Sequence, residues 1–363
     1  MKNLTIGFVG LGLIGGSIAK GIRYNFPEFK IVAYNRSEAA RNAAKLDGTA
    51  DIICADIDNS FSECDYIFLC TPVEYNVEYL RMLKPIIKSS CIISDVGSTK
   101  TNIHEAVTSE HMEANFIGGH PMAGSEKTGY ENASEHLIEN AFFAITPTSL
   151  TTPESLAEFK EIVSGIGGIP VVLDYAEHDY CVAAISHLPH LVAAGLVNLV
   201  KDSDSPSETM KLLAAGGFKD ITRIASSSPE MWQQICTTNG KNISDLLGDY
   251  ITSLTDIKNA IDNNESSYIF DLFTSSRAYR NSFSDIHMGP IPPVYKLYCD
   301  IIDKSGAILA VATILSTKDI SIKNIGIINN REREAGVLEI VFYNKTDLEN
   351  ASLLLKEHNY KIY

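Results

Sequence analysis

Four stretches of this sequence carry polar residues of the types that do chemistry. Asp95-Val96-Gly97-Ser98 closes an apolar run, and GGHPMAGSEKTGYENA sets His120, Ser125, Glu126 and Lys127 among glycines that let backbone wrap a ligand. SHLPH supplies Ser186, His187 and His190, and GGFKDITRIASSSPEMW supplies Lys219, Asp220, Arg223 and the single tryptophan, Trp232. A histidine titrates near neutrality and can exchange a proton with a reacting group. An arginine fork grips a carboxylate. His187 and His190, three apart, are spaced as metal ligands can be, but no third or fourth ligand at matching spacing accompanies them, so no metal is expected. Each group also has a plain structural use: His120 as a loop histidine before Pro121, Arg223 in a salt bridge within its domain. Pro189 starts or kinks a helix, turning one histidine inward and leaving the other packed.

The elements that must position these groups begin with MKNLTIGFVGLGLIGGSIAKG. Its glycines interrupt the continuous apolar stretch that a secretion signal needs. Gly10, Gly12 and Gly15 form G-x-G-x-x-G between a strand-like run at residues 5–9 and a helical pattern at residues 17–24. That is the context of a dinucleotide fingerprint: a tight turn, close backbone approach to a pyrophosphate, and a helix N-terminus facing the phosphates. Leu13 and Ile14 belong to the same turn, and Thr71 and Pro72 end a later strand, YIFLCTP. KIVAYNRS brings Asn35, Arg36 and Ser37 to the ribose position about 20 residues on. An acidic residue there would hold a 2′-hydroxyl. Arg36 can instead pair with a 2′-phosphate, with Asn35 and Ser37 donating to it, so the cofactor expected is NAD(P)+ with a lean to NADP or dual use.

Further strand-like runs at DIICA, DYIFLCTP, SCIISDVGS, ANFIGGH and NAFFAITP alternate with helical stretches. The expectation is an α/β, Rossmann-type doubly wound parallel sheet over residues 1–172, with the polar loops at its carboxyl edge. Apolar residues then recur at helical spacing, giving an all-helical middle domain over residues 173–289. HMGPIPPVY, with Pro290, Pro292 and Pro293, reads as a stiff linker. Strand, helix, strand, strand, helix, strand follow over residues 294–363, the order of a ferredoxin-like βαββαβ module.

The chain of 363 residues carries a formal net charge of -15. Such a charge attracts neither phosphate backbones nor anionic lipid, so neither nucleic acid nor membrane is an expected partner. No apolar run approaches the roughly 20 residues needed to span a bilayer. Seven scattered cysteines with no CxxC pair read as reduced thiols in a cytoplasmic protein.

Taken together, GLGLIGGS, DVGS, GGHPMAGSEKTG, HD followed by SHLPH, and GGFKDITRIASSSPEMW resemble, in order and approximate spacing, the prephenate and arogenate dehydrogenase family of tyrosine biosynthesis. The resemblance covers essentially the whole chain. It implies oxidative decarboxylation of prephenate to 4-hydroxyphenylpyruvate, with arogenate dehydrogenase as the alternative. It implies His120 as the acceptor of the 4-hydroxyl proton, Ser98 orienting that histidine with Glu126 in support, and Arg223 anchoring the ring carboxylate. His190 and Ser186 would line the substrate pocket, Trp232 would wall it, and Lys219 is a weaker candidate. The family commonly places an acidic residue where this chain has Asn35. The resemblance further implies a homodimer formed through the helical domains, and a C-terminal module similar to the amino-acid-sensing ACT domain, binding tyrosine as a feedback inhibitor. A β-hydroxyacid dehydrogenase would want a catalytic lysine instead of His120 and HLPH. A non-catalytic amino-acid sensor on a Rossmann scaffold would have no need of Ser98, His120 and Arg223.

Overall fold

Five short, nearly all-apolar strands suit a sheet covered on both faces, and they pair accordingly. β1 (Thr5–Val9), β2 (Lys30–Tyr34), β3 (Ile52–Cys54), β4 (Tyr66–Leu69) and β5 (Ile92–Asp95) form a parallel sheet in the order β3-β2-β1-β4-β5. Successive side chains point to opposite faces. Ile6, Phe8, Ile31, Ala33, Tyr66 and Phe68 therefore enter one core, with Ile18 and Ile22 of α1 (Leu13–Asn25) and Ala44 of α2 (Glu38–Leu46). Val9, Val32, Ile67, Leu69 and Ile93 enter the other, against Leu80 and Leu83 of α3 (Val73–Leu83) and Ile103 and Val107 of α4 (Thr101–Ser109). Phe159, Ile162 and Val163 of α5 (Pro153–Gly165) close the first core. The computed structural model describes residues 3–124, 127–283, 295–301, 305–328 and 336–362.

The expected parallel order does not extend through the next strands. β6 (Ile117–Pro121), β7 (Phe142–Pro147) and β8 (Ile169–Val172) make a separate sheet in which β6 and β7 are antiparallel and β7 and β8 parallel. A parallel return needs a crossover of a dozen or more residues, usually helical. Among the described residues, the glycine-rich stretch between β6 and β7 supplies only a short 3-10 turn at Tyr130–Asn132. A bridge between Ile93 and Phe116 lies where the two sheets meet.

After β8 the chain is helical, as expected. α6 (Tyr175–Val182), a π turn (Ala183–His187) and α7 (Leu188–Ser203) run on as one 29-residue helix. Its length and apolar composition would suffice to cross a membrane, contrary to the sequence expectation, because neutral histidine, serine and proline extend the uncharged stretch. Pro189 lies inside this continuous helix and can donate no N–H to the turn before it; the π turn at Ala183–His187 comes just ahead of it, and the helix runs on without a break. α8 (Thr209–Leu213), α9 (Gly216–Thr222), a 3-10 turn (Arg223–Ser226), α10 (Pro229–Thr238) and α11 (Gly240–Asp262) complete this region.

Contacts divide the chain into two units, Met1–Ser266 and Ser267–Tyr363. The dinucleotide-type and helical parts thus share one unit, and the division falls within the expected helical domain. The expected limits at 289 and 294, and Pro290, Pro292 and Pro293, lie outside the described residues. α12 (Ser266–Ser282) begins at this division. Beyond it come β9 (Tyr295–Ile301), α13 (Ala307–Ser316), β10 (Ile322–Ile328), β11 (Gly336–Phe342) and α14 (Lys345–Glu357). The sheet is antiparallel, in the order β10-β11-β9, and Ile362 bridges Cys299 on the far side of β9. Leu297, Cys299, Val311, Leu315, Leu338, Ile340 and Leu355 fill the core between sheet and helices.

Candidate active site

The phosphate turn is built as its glycines require. Gly10 adopts φ +102°, and a Cβ there would lie 2.8 Å from the Cys70 carbonyl oxygen. A Cβ on Gly15 would fall 2.2 Å from the Gly10 carbonyl oxygen, so helix and turn pack at a distance only glycine allows. Gly12, by contrast, faces open space, and α1 begins there with no side-chain cap on its free N–H groups. An open cradle beside uncapped amides fits the pyrophosphate of a dinucleotide. Thr71, after β4, donates to Asn76 Oδ1 at 2.7 Å, while the buried Asn76 amide nitrogen has no partner among the described residues.

The ribose position departs from expectation. Asn35 Oδ1 accepts from the Leu11 N–H at 2.8 Å, its Nδ2 donates to the Ser37 carbonyl, and Ser37 Oγ caps α2 by accepting from Ala40. Of the three residues at this position, Asn35 and Ser37 therefore also hold the turn and the helix start. Arg36 is the member of the three whose side chain is not used in this way.

The chemistry gathers where β5, β6 and α6 meet. His120, next to last in β6, places its Nδ1 2.9 Å from His178 Nε2, the rings edge to face. His178 Nδ1 lies 2.9 Å from Asp179 Oδ1. The Asp179 carboxylate, fully buried, also accepts the backbone N–H groups of Lys100 and Thr101 at 2.7 and 2.8 Å, and so closes the N-terminus of α4. Burial alone would raise this acid, yet the bonds from His178, Thr101 and Lys100 hold it below the ordinary carboxylate value. Burial pushes His120 well below an ordinary imidazole, with the neighbouring His178, Lys100 and His187 acting in the same direction and Asp179 against. A second buried pair ties this corner together: Lys100 Nζ bonds Asp95 at the end of β5 and the Gly119 carbonyl just before His120.

The substrate-side candidates also converge. His190 stacks on Trp232, ring centroids 3.8 Å apart, and donates from Nδ1 to the Ser186 carbonyl at 2.8 Å. Burial lowers His190, the bond to the Ser186 carbonyl works against this, and the positive charge of Arg223 lowers it further. His187 is buried, and burial pushes it down to about 4. Its Nδ1 accepts from the Asn239 amide at 3.2 Å, and the same amide donates to the Asp179 carbonyl at 2.7 Å. Lys219 is exposed on α9. Ser98 is half-buried in the loop after β5, and the hydrogen bond of the His120 ring among the described residues is to His178. Ser125 and Glu126 lie outside the described residues. Among the described residues no group of three or more potential ligands could hold a metal. Asn239, His178, Asp179 and Lys100 were not singled out from the sequence. The adjacent His-Asp before SHLPH was the one available signal.

A family model described as "Prephenate dehydrogenase, nucleotide-binding domain" matches residues 18–172, and one described as "Prephenate dehydrogenase, dimerization domain" matches residues 174–275. A prephenate dehydrogenase of Bacillus subtilis is 37% identical over 352 residues, spanning 96% of this chain and 94% of the relative. One from Lactococcus lactis is 34% identical, spanning 98% of each. Among solved structures, Aquifex aeolicus prephenate dehydrogenase in complex with hydroxyphenyl propionate and NAD+ superposes with a TM-score of 0.74 at 29% identity, covering 78% of this chain and 99% of that one. Synechocystis arogenate dehydrogenase superposes with a TM-score of 0.69 at 31% identity, covering 77% and 100%.

Proposed function

The chain belongs to the prephenate dehydrogenase family, and on that premise we propose how its residues carry out the oxidative decarboxylation of prephenate to 4-hydroxyphenylpyruvate. The observation that carries the reading is the His120 ring, held between β5, β6 and α6, with Nδ1 bonded to His178 and Nε2 left to meet a substrate. NAD+ supplies the hydride acceptor when bound at the Gly10-Gly12-Gly15 turn. His120 takes the proton of the 4-hydroxyl as hydride leaves C4 and the oxygen becomes a carbonyl. Loss of CO₂ from C1 then returns an electron pair to the ring, which becomes a phenolate, and His120 gives the proton back to that oxygen. Charge and protons balance with none released to solvent. A neutral imidazole can take the hydroxyl proton at Nε2, and burial, which lowers the basicity of this ring, makes it give the proton up readily to the phenolate. Arg223 anchors the ring carboxylate through paired donors, with His190 and Trp232, stacked on each other, lining the pocket.

On the coenzyme, the engagement of Asn35 and Ser37 leaves the lean to NADP+ resting on Arg36, so NAD+ is the coenzyme put forward and use of NADP+ the finer reading. The C-terminal unit, whose strand order matches a ferredoxin-like module, is proposed to be an ACT domain that senses tyrosine. The exposed apolar side chains of the π turn, α7 and α11, Ile185, Leu199, Ile251 and Leu254 among them, support a homodimer built through the helical region. The free cysteines suit a reducing cytoplasm. Mixing the purified protein with prephenate and NAD+ should generate reduced nicotinamide. No reduction with prephenate or arogenate, with either coenzyme, overturns the assignment.

A further inference from the structure

The adjacent pair His178-Asp179, which the reaction as described does not use, lies directly behind the reacting histidine. We infer that His178 and Asp179 are positioning residues that lock His120 in the one neutral tautomer able to accept the substrate proton, with hydrogen on Nδ1 and a bare Nε2. The inference rests on the role proposed for His120.

Asp179 accepts two backbone N–H groups at the start of α4, and a carboxylate at a helix N-terminus is held ionised by those donors and the helix dipole. An ionised carboxylate can only accept. His178 Nδ1, 2.9 Å away, must therefore carry the hydrogen. In the neutral ring that the inference assigns to His178, the lone pair then sits on Nε2, which at 2.9 Å accepts from His120 Nδ1–H. One tautomer then remains for His120, and its Nε2 faces outward as an acceptor. Once Nε2 takes a proton, the imidazolium still donates from Nδ1 to His178, and the Asp179 charge two rings away offsets the new positive charge. The charged or titratable groups whose fields act on His120 are His178, Lys100, His187 and Asp179. Lys100 is paired with Asp95, so Asp179 is the anion aligned with the histidine chain. The alternative arrangement, a protonated His178 donating to His120, would put the hydrogen on His120 Nε2 and block acceptance.

Two measurements test this on the full-length protein. The first is nitrogen-15 NMR of histidine side chains, assigned with His120→Asn and His178→Gln, which reads the tautomers with no substrate present. Hydrogen on Nδ1 of both His120 and His178 at pH 7.5 is expected; hydrogen on His120 Nε2 overturns the inference. This readout stands apart from the proposed reaction. A protein that turned over prephenate with the other tautomer would sink the relay alone, and one with the expected tautomer but no turnover would sink the reaction alone. The second is kinetic. Asp179→Asn is expected to lower kcat by 10²-fold or more, toward the roughly 10⁴ seen when the aspartate orienting a catalytic histidine is so changed, with KM for prephenate within about threefold. Gln at 178 can accept from His120 and donate to Asp179, so His178→Gln should keep at least about tenfold more kcat than His178→Phe. If ring volume were what mattered, Phe would do better, and that order overturns the positioning role. Should Asp179→Asn fail to fold for want of the α4 cap, the tautomers of the unaltered protein and the comparison at 178 still decide.

Discussion

At the residue scale, function concentrates in groups that are buried and paired. His120→Asn should abolish turnover while leaving NAD+ affinity within about twofold, because position 120 lies on β6 and the phosphate turn on β1 and α1. Arg223→Ala should instead raise KM for prephenate by about 10–200-fold, the range for a lost charged hydrogen bond of about 1.5–3 kcal/mol; stopped-flow and steady-state kinetics separate the two, and the reverse pattern would reassign the roles. Burial also governs pH stability. His104, wedged against Phe116 and Tyr175 and bonded to Thr146, and His187 are both pushed down to about 4 by burial. Each is neutral in the fold and has an ordinary value near 6.5 in the unfolded chain. Their contribution is therefore whole above about pH 6.5 and is lost as pH falls through that value toward about 4, where unfolding takes up protons. Denaturant titrations at pH 7.5, 6 and 5 should show a steady fall; a flat profile would contradict the neutral, buried state of these rings. His120, Arg223 and Trp232 could be picked out of the sequence because their types sit in unusual glycine-rich or polar settings. Lys100 and Asn239 could not, since a lysine after Ser98-Thr99 or an asparagine between helices looks like any surface residue until the fold buries it.

At the scale of elements, the strands were legible because each is a short apolar run bounded by turn residues. β1 occupies the residues that the fingerprint pattern implied, Thr5–Val9. The direction of pairing was not legible, since alternation of apolar residues says nothing about which way a neighbour runs; the missing crossover helix between β6 and β7 decided it. Likewise SHLPH announced a proline inside a helix, but the π turn just ahead of it is not marked by any apolar spacing. The phosphate turn provides the sharpest test at this scale. Gly15→Ala would push a methyl onto the Gly10 carbonyl, so NAD+ binding measured by calorimetry should fall at least tenfold and the unfolding midpoint should drop. Wild-type affinity in that variant would mean the turn is not the pyrophosphate cradle.

At the scale of the whole molecule, one unit carries both the coenzyme turn and the polar cluster, and a second carries the antiparallel sheet. The sequence showed the change from alternation to helical spacing but not that these parts join in one unit, because Asp179 reaching α4 and Asn239 reaching His187 are contacts between residues 52 to 79 positions apart. If the second unit senses an amino acid, tyrosine should inhibit the full chain and lose most of its effect on a chain ended after Ser282 that retains turnover. Equal inhibition of both would place tyrosine at the active site instead. The central claim, that His120 moves the hydroxyl proton in an oxidative decarboxylation, is tested most directly by following prephenate consumption in one reaction. Reduced nicotinamide, CO₂ and 4-hydroxyphenylpyruvate should appear in equal amounts with the full-length protein and none should appear with His120→Asn. Coenzyme reduction without CO₂, or undiminished turnover in the variant, would contradict the account.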